Sequence, residues 1–345
     1  MHRQSLAASF VAVVCACTLE AVVPQDPAYG PTGTPPPDTS ATSTAATGST
    51  SWASGPSETG ATDTDGEADG TTLPKFDVAP ETDPADGQAP CPGIDVLFVV
   101  DDSHSMSDEQ SHLVDSFPGF SDGLLTLVGA GYDVHVGVVT TDAYAFNEEG
   151  CTEIGALTTK TGGNDASNAM CAPFSLGRFM SKYDDLEADF ACAARVGTSG
   201  DPKERPMLAA LEALSPDKLA PSGCNAGFRR DEALLVIVIV TDEEDLQDSP
   251  GMVEDWYEGI VERAGGDPDH VVVLSLVGTP KPNACPDFQW NGSEGAEVAH
   301  QIIAFTEMFG PRGLVGDVCA SDYAPFFAEA VELVSDACAA LPAAG

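Results

Sequence analysis

The chain has 345 residues, of which 55 are Asp or Glu and only 14 are Lys or Arg, a formal net charge of −41 at pH 7. So acidic a chain repels phosphate backbones and anionic headgroups. This excludes nucleic acid as a partner and membrane binding through basic patches, and it favours metal cations and basic protein surfaces. Hydrophobic residues still make up 43% of the sequence, enough for a sizeable core.

The first segment reads as an export leader. His2 and Arg3 precede an apolar run over 6–14 that is too short to span a bilayer as a permanent helix. Val14-Cys15-Ala16-Cys17 then resembles the bacterial lipobox. That resemblance implies a signal spanning 1–17, with Cys17 as the lipidated N-terminus of an exported protein. Attachment would be by a lipid anchor rather than a transmembrane helix, at the outer membrane or cell surface. A plain secretory signal cut nearby is the alternative.

Residues 18–90 are rich in Pro, Thr, Ser, Gly and acids and poor in large apolar side chains. Such a segment cannot bury enough surface to offset its ordering entropy, so it reads as a disordered acidic linker. Asp63, Asp65, Glu67 and Asp69 alternate as in a calcium loop. The sixth and twelfth positions, however, are Ala68 and Pro74 rather than Gly and Glu.

Residues 91–345 hold 43 of the 55 acids and 12 of the 14 bases, and their length suits one α/β domain. They also hold eight cysteines: Cys91, Cys151, Cys171, Cys192, Cys224, Cys285, Cys319 and Cys338. An even number in an exported chain implies disulfides, and the lack of any CxxC pair argues against a zinc ribbon. The expected bridges are Cys91–Cys338, joining the domain's ends, together with Cys151–Cys171 and Cys285–Cys319. Eight cysteines allow about 105 connectivities, so the spacing does not dictate these pairs.

Four continuous apolar runs predict buried parallel strands: 94–100, 133–139, 234–240 and 271–277. Helical patterns lie between them, starting at Ser107 and covering 203–214, 253–264, 297–309 and 323–341. Ser107 is also a candidate cap for the first of these. The alternation predicts a doubly wound, mostly parallel sheet with helices on both faces. Residues 143–190 break the alternation and read as an irregular insertion.

In open α/β sheets ligands bind outside the carboxyl ends of the strands. Just past the first run stand Asp101, Ser103 and Ser105. Past 133–139 come Thr140, Thr141 and Asp142, and past 234–240 come Thr241, Asp242, Glu243, Glu244 and Asp245. Hard oxygen donors from separate segments suit Mg²⁺, Mn²⁺ or Ca²⁺.

Asp101-Asp102-Ser103-His104-Ser105 fits the Asp-x-Ser-x-Ser signature, and the chain here resembles the von Willebrand factor type A (vWA) domains, in the form carried by secreted bacterial lipoproteins. The resemblance covers most of 91–345 in element order, and it implies a metal-ion-dependent adhesion site. By that resemblance Asp101, Ser103, Ser105 and Asp242 hold a divalent cation, with Mg²⁺ favoured. Thr198, in a loop before a helix, supplies the family's threonine, for which Thr140 and Thr141 are rivals. The cation would then take a carboxylate from a partner protein, an adhesive or protein-binding function without catalysis. His104 would lie at the exposed rim. The acidic lip of Glu243, Glu244 and Asp245 would repel an acidic ligand. A structural envelope protein with a decayed or purely stabilising site is the alternative.

The enzyme readings are poorer. VGTSGDP at 196–202 resembles the nucleophile segment of subtilisin-like proteases, with Ser199 as nucleophile, but the sequence has no His-Gly dipeptide to supply the base. HExxH and a phosphate-binding Gly-rich Lys-Ser/Thr loop are also lacking.

Overall fold

The computed structural model describes residues 91–128, 132–245, 248–288 and 295–341. The leader, Cys17 and the linker over 18–90 lie outside the described residues.

The four apolar runs form strands β1 (Ile94–Val100), β2 (Val134–Thr140), β4 (Leu234–Val240) and β5 (Val271–Val277). Two further strands, without an apolar run to predict them, are β3 (Met180–Ser181) and β6 (Gly313–Asp317). The sheet order is β3-β2-β1-β4-β5-β6, parallel throughout except for β3, which runs antiparallel to β2. This is the mostly parallel, doubly wound α/β architecture expected. Its strand order reverses between β1 and β4, the place where such sheets open a crevice at their carboxyl ends.

Successive residues of a strand point to opposite faces, and β1 divides its side chains accordingly. Val96, Phe98 and Val100 enter a core with Leu113, Phe117 and Phe120 of α1 (Ser107–Leu127), Phe190 of α2 (Leu186–Ala193) and Phe327 of α7 (Ala324–Ala340). Leu97 and Val99 enter a second core with Met207 of α3 (Pro206–Ala213), Trp256 of α5 (Val253–Arg263) and Phe305 of α6 (His300–Glu307). A four-residue helix, α4 (Pro216–Leu219), follows α3.

Phe98 is fully buried against three rings, with centroids 5.9 Å from Phe117, 6.2 Å from Phe120 and 4.7 Å from Phe190. Phe98→Ala is expected to cost about 3–5 kcal/mol by loss of burial and cavity formation, measured as a lowered urea midpoint at unchanged slope.

At the opposite end of β1, Asp95 is fully buried. It takes Arg230 Nε at 2.8 Å and Nη2 at 2.6 Å, the Arg230 backbone N–H at 2.7 Å and Arg229 Nη1 at 3.1 Å. This pair ties the turn before β4 to the middle strand.

The eight cysteines form Cys91–Cys338, Cys151–Cys224, Cys171–Cys192 and Cys285–Cys319. The expected Cys151–Cys171 bridge is therefore corrected. Cys171 reaches Cys192 in α2, while Cys151 reaches the turn ahead of β4, so the insertion is pinned to two different layers. The insertion is irregular up to β3, but its end is regular: α2 begins inside the 143–190 range.

Candidate metal centre

Asp101 is the first residue past β1, and its N–H donates to Val240 O at the end of β4 (3.0 Å). The Asp101 carboxylate is fully buried. Its Oδ1 accepts the Ser103 backbone N–H at 2.7 Å and its Oδ2 accepts the Thr241 hydroxyl at 2.5 Å. Ser103 Oγ and Ser105 Oγ stand 3.3 Å apart. Asp242 follows Thr241 and is 1% exposed. The two strand ends at the reversal point thus bring Asp101, Ser103, Ser105 and Asp242 together.

Two features hold the entry loop. The chain turns over 101–106, and α1 begins at Ser107 with Met106 before it and no side-chain cap, so Ser107 is not the cap expected. Instead Gln110, in the first turns of α1, donates to Asp101 O at 2.9 Å and to Gly197 O at 2.8 Å, and accepts the Gly197 N–H at 3.0 Å. His104 is exposed, as the rim position implied.

Thr198 is bonded to the insertion. Its hydroxyl donates to Asp165 Oδ2 at 2.9 Å and its N–H to Asn164 O at 2.9 Å, both in the insertion. The residue beside Asp101 from this loop is Glu204, at a position the pattern over 203–214 predicts to be helical. Pro206 occupies the first turn of α3, so 203–205 are loop. Glu204 is 2% exposed, hydrogen-bonds the Thr141 hydroxyl and lies within hydrogen-bonding reach of Asp101. The Thr141 hydroxyl also acts on Asp102. The loop is set by the Gly200 N–H bond to Asp102 O at 2.8 Å, where a Cβ on residue 200 would stand 2.6 Å from Asp102 Cγ. Asp201 N–H donates to Asp142 Oδ2 at 2.7 Å, and Arg205 N–H to Thr141 O at 3.2 Å.

Asp101, Asp102, Asp142, Glu204 and Asp242 therefore share one crevice, with Arg205 acting on Asp142 from its flank. Burial, and then the charges of Asp142 and Asp101, push Asp102 up to about 8. Burial, and then Asp101, push Asp242 up to about 8 and Glu243 to about 7. Burial and Asp101 also raise Glu204 well above the ordinary carboxylate range.

Among the described residues both Asp242 carboxylate oxygens, Asp102 Oδ1, Asp142 Oδ1 and Glu204 Oε1 are buried without a hydrogen-bond partner. The Ser105 hydroxyl is close enough to favour ionised Asp242, but neither Asp242 oxygen has a bond of good geometry. Buried carboxylate oxygens left so are costly, and a hard divalent cation satisfies several at once. The donor set, oxygen throughout, fits such an ion.

These shifts set a pH dependence. The unfolded chain ionises its aspartates near 3.8, whereas the folded, cation-free protein keeps protons on Asp102 and Asp242 up to about 8. Between those limits the folded state binds more protons, so stability is full at the acid end and lost as pH rises. In chelator the protein is expected to lose at least about 1.4 kcal/mol between pH 5 and pH 8, the linkage energy of a tenfold change in one proton's affinity. Saturating Ca²⁺, which favours the ionised carboxylates, should flatten that slope. A melting temperature in chelator that does not change with pH would contradict it.

Cys285, Asp317 and Cys319 also bring potential ligand atoms within 4.8 Å of one another. The two sulfurs are joined as a disulfide and are not thiolates, so this is not a second cation site. The lip residues divide: Glu244 and Asp245 are buried and hydrogen-bonded to Gln301 and Ser249, while Glu243 is half-buried and faces Asp101. Ser199 is exposed and its Oγ accepts the Asn164 N–H at 3.0 Å.

Neither a protein-family model nor a curated protein matches the chain. Among solved structures, proximal thread matrix protein 1 from the mussel byssus is similar in its crystal form 2, with a TM-score of 0.40 and 11% identity over 72% of this chain and 49% of that one. A second structure of that protein gives 0.39 and 11% over 72% and 48%. A third, described as having a zinc-occupied MIDAS motif, gives 0.37 and 10% over 72% and 49%. The chain spans about half the length of these structures.

Proposed function

We propose that the described domain binds a divalent cation at the Asp101–Asp242 crevice and, through that ion, a protein ligand. The whole chain is then an exported, lipid-anchored envelope protein without catalytic activity. The observation that carries the cation is Asp242, whose two buried oxygens are both without a hydrogen-bond partner at the point where the strand order reverses. The four disulfides suit an oxidising compartment. Among the described residues no helix is long and apolar enough to cross a membrane. Against hydrolysis stands Ser199, exposed and hydrogen-bonded to a backbone amide rather than to a base.

A second reading, in which the ion serves stability alone, is favoured by the burial of both Asp101 and Asp242. Calorimetric titration of the protein with Mg²⁺, Mn²⁺ and Ca²⁺ tests the cation, and absence of heat for all three rejects it. Affinity capture from envelope extract, with and without chelator, separates the readings. A partner lost in chelator supports the binding module, and one retained in chelator supports the stabilising site.

A further inference from the structure

We infer that Glu204 is a direct ligand of the cation, taking from within the chain the coordination place that the sequence pattern assigned to the Thr198 hydroxyl. The inference rests on the cation reading above and specifies its donor set.

Three observations converge. Thr198 is tied to the insertion, its hydroxyl giving its proton to Asp165 Oδ2. Glu204 is 2% exposed, adjoins Asp101 and keeps Oε1 buried without a partner, while its other oxygen is held by Thr141. The backbone that carries it is fixed at Gly197 by Gln110, at Gly200 by Asp102 O, at Asp201 by Asp142 and at Arg205 by Thr141 O, and the Thr141 hydroxyl holds the carboxylate itself. Two buried carboxylates so close need a shared proton or a cation between them, and the cation also serves the partnerless oxygens of Asp102 and Asp242.

The chemical consequence concerns which ion and what remains open to a partner. A hydroxyl in this place would leave the cation electron-poor and receptive to an outside carboxylate. Glu204 instead adds a carboxylate from within the chain, which weakens the ion's remaining pull on an outside acid. With Asp101, Asp102, Asp142 and Asp242 it makes five carboxylates in the crevice, more than the one or two that Mg²⁺ takes with its retained waters. The larger, more flexible shell of Ca²⁺ accommodates such a set, so Ca²⁺ is expected to bind more tightly than Mg²⁺.

The test is calorimetric titration of the purified protein with Ca²⁺ and Mg²⁺, alongside melting in chelator, for wild type, Glu204→Gln, Thr198→Val and Asp242→Asn. Glu204→Gln is expected to weaken Ca²⁺ binding at least about tenfold, to narrow the Ca²⁺ over Mg²⁺ preference and to raise the melting temperature in chelator, because the amide relieves the crowding of buried carboxyls. Thr198→Val is expected to bind Ca²⁺ within about twofold of wild type. A Glu204→Gln protein that binds as wild type while Asp242→Asn has lost binding overturns the role of Glu204 and leaves the cation site standing. If wild type binds neither ion, the underlying reading fails and takes this one with it. If Glu204→Gln is less stable than wild type in chelator, or does not fold, the carboxylate is a structural prop and the assignment is overturned.

Discussion

Asp242→Asn is expected to make the protein more stable in chelator and to abolish most of the stabilisation that a cation confers. The two effects have opposite signs because the same carboxylate is a liability without the ion and a ligand with it. Asp242 accepts no hydrogen bond of good geometry, so an isosteric amide removes the cost of keeping a proton on a buried carboxyl and breaks no such bond. Asp101 is a poorer choice, since its two oxygens hold the Ser103 N–H and the Thr241 hydroxyl. A cation at about a hundred times its dissociation constant adds about 2.7 kcal/mol to wild type. For a domain of this size that is roughly 5–10 °C in melting temperature, and the variant is expected to gain less than about 2 °C. Equal melting curves for the two proteins in chelator, together with equal gains in Ca²⁺, would reject a role for Asp242.

Removing the Cys91–Cys338 bridge by replacing both cysteines with alanine is expected to cost about 5 kcal/mol. The bridge spans 247 residues of sequence, so it closes nearly the whole described domain into one loop. The entropy it removes from the unfolded chain grows with the logarithm of loop length, which puts the effect at the upper end of the usual range. Cys171–Cys192, with a separation of 21, is expected to contribute about 3 kcal/mol on the same reasoning. Urea unfolding under non-reducing conditions measures both. A loss below about 1 kcal/mol for the long bridge would mean that the unfolded chain is already compact, or that the bridge relieves nothing.

The architecture was legible because its four main strands are continuous apolar runs, a pattern that buried parallel strands impose whatever the helices around them do. β6 was not, because Gly-Leu-Val-Gly-Asp is short, half-buried and interrupted by glycine. β3 has only two residues and takes its identity from its neighbour β2.

In the site, Asp101, Ser103, Ser105 and Asp242 could be placed from the sequence because all four stand in the short turns just past readable strands. Thr198 and Glu204 could not be told apart that way. Both lie in a loop whose path depends on Gln110, on Gly200 packed against Asp102 and on the insertion, none of which has a local sequence signal. One clue was available: Pro206 marks the first turn of a helix, which takes Lys203, Glu204 and Arg205 out of the helical pattern and into the loop above the strands.

The long bridge also decides how the domain responds to mechanical load. Cys91 stands three residues before β1, at the middle of the sheet, and Cys338 lies in the last turns of α7. Tension applied between these two positions runs through a covalent bond, and the hydrogen bonds of β1 to β2 and β4 never come under it. The central strand, whose far end presents Asp101, is shielded from being peeled out by force, and the crevice keeps its shape under a pull that would unzip the same fold without the bridge.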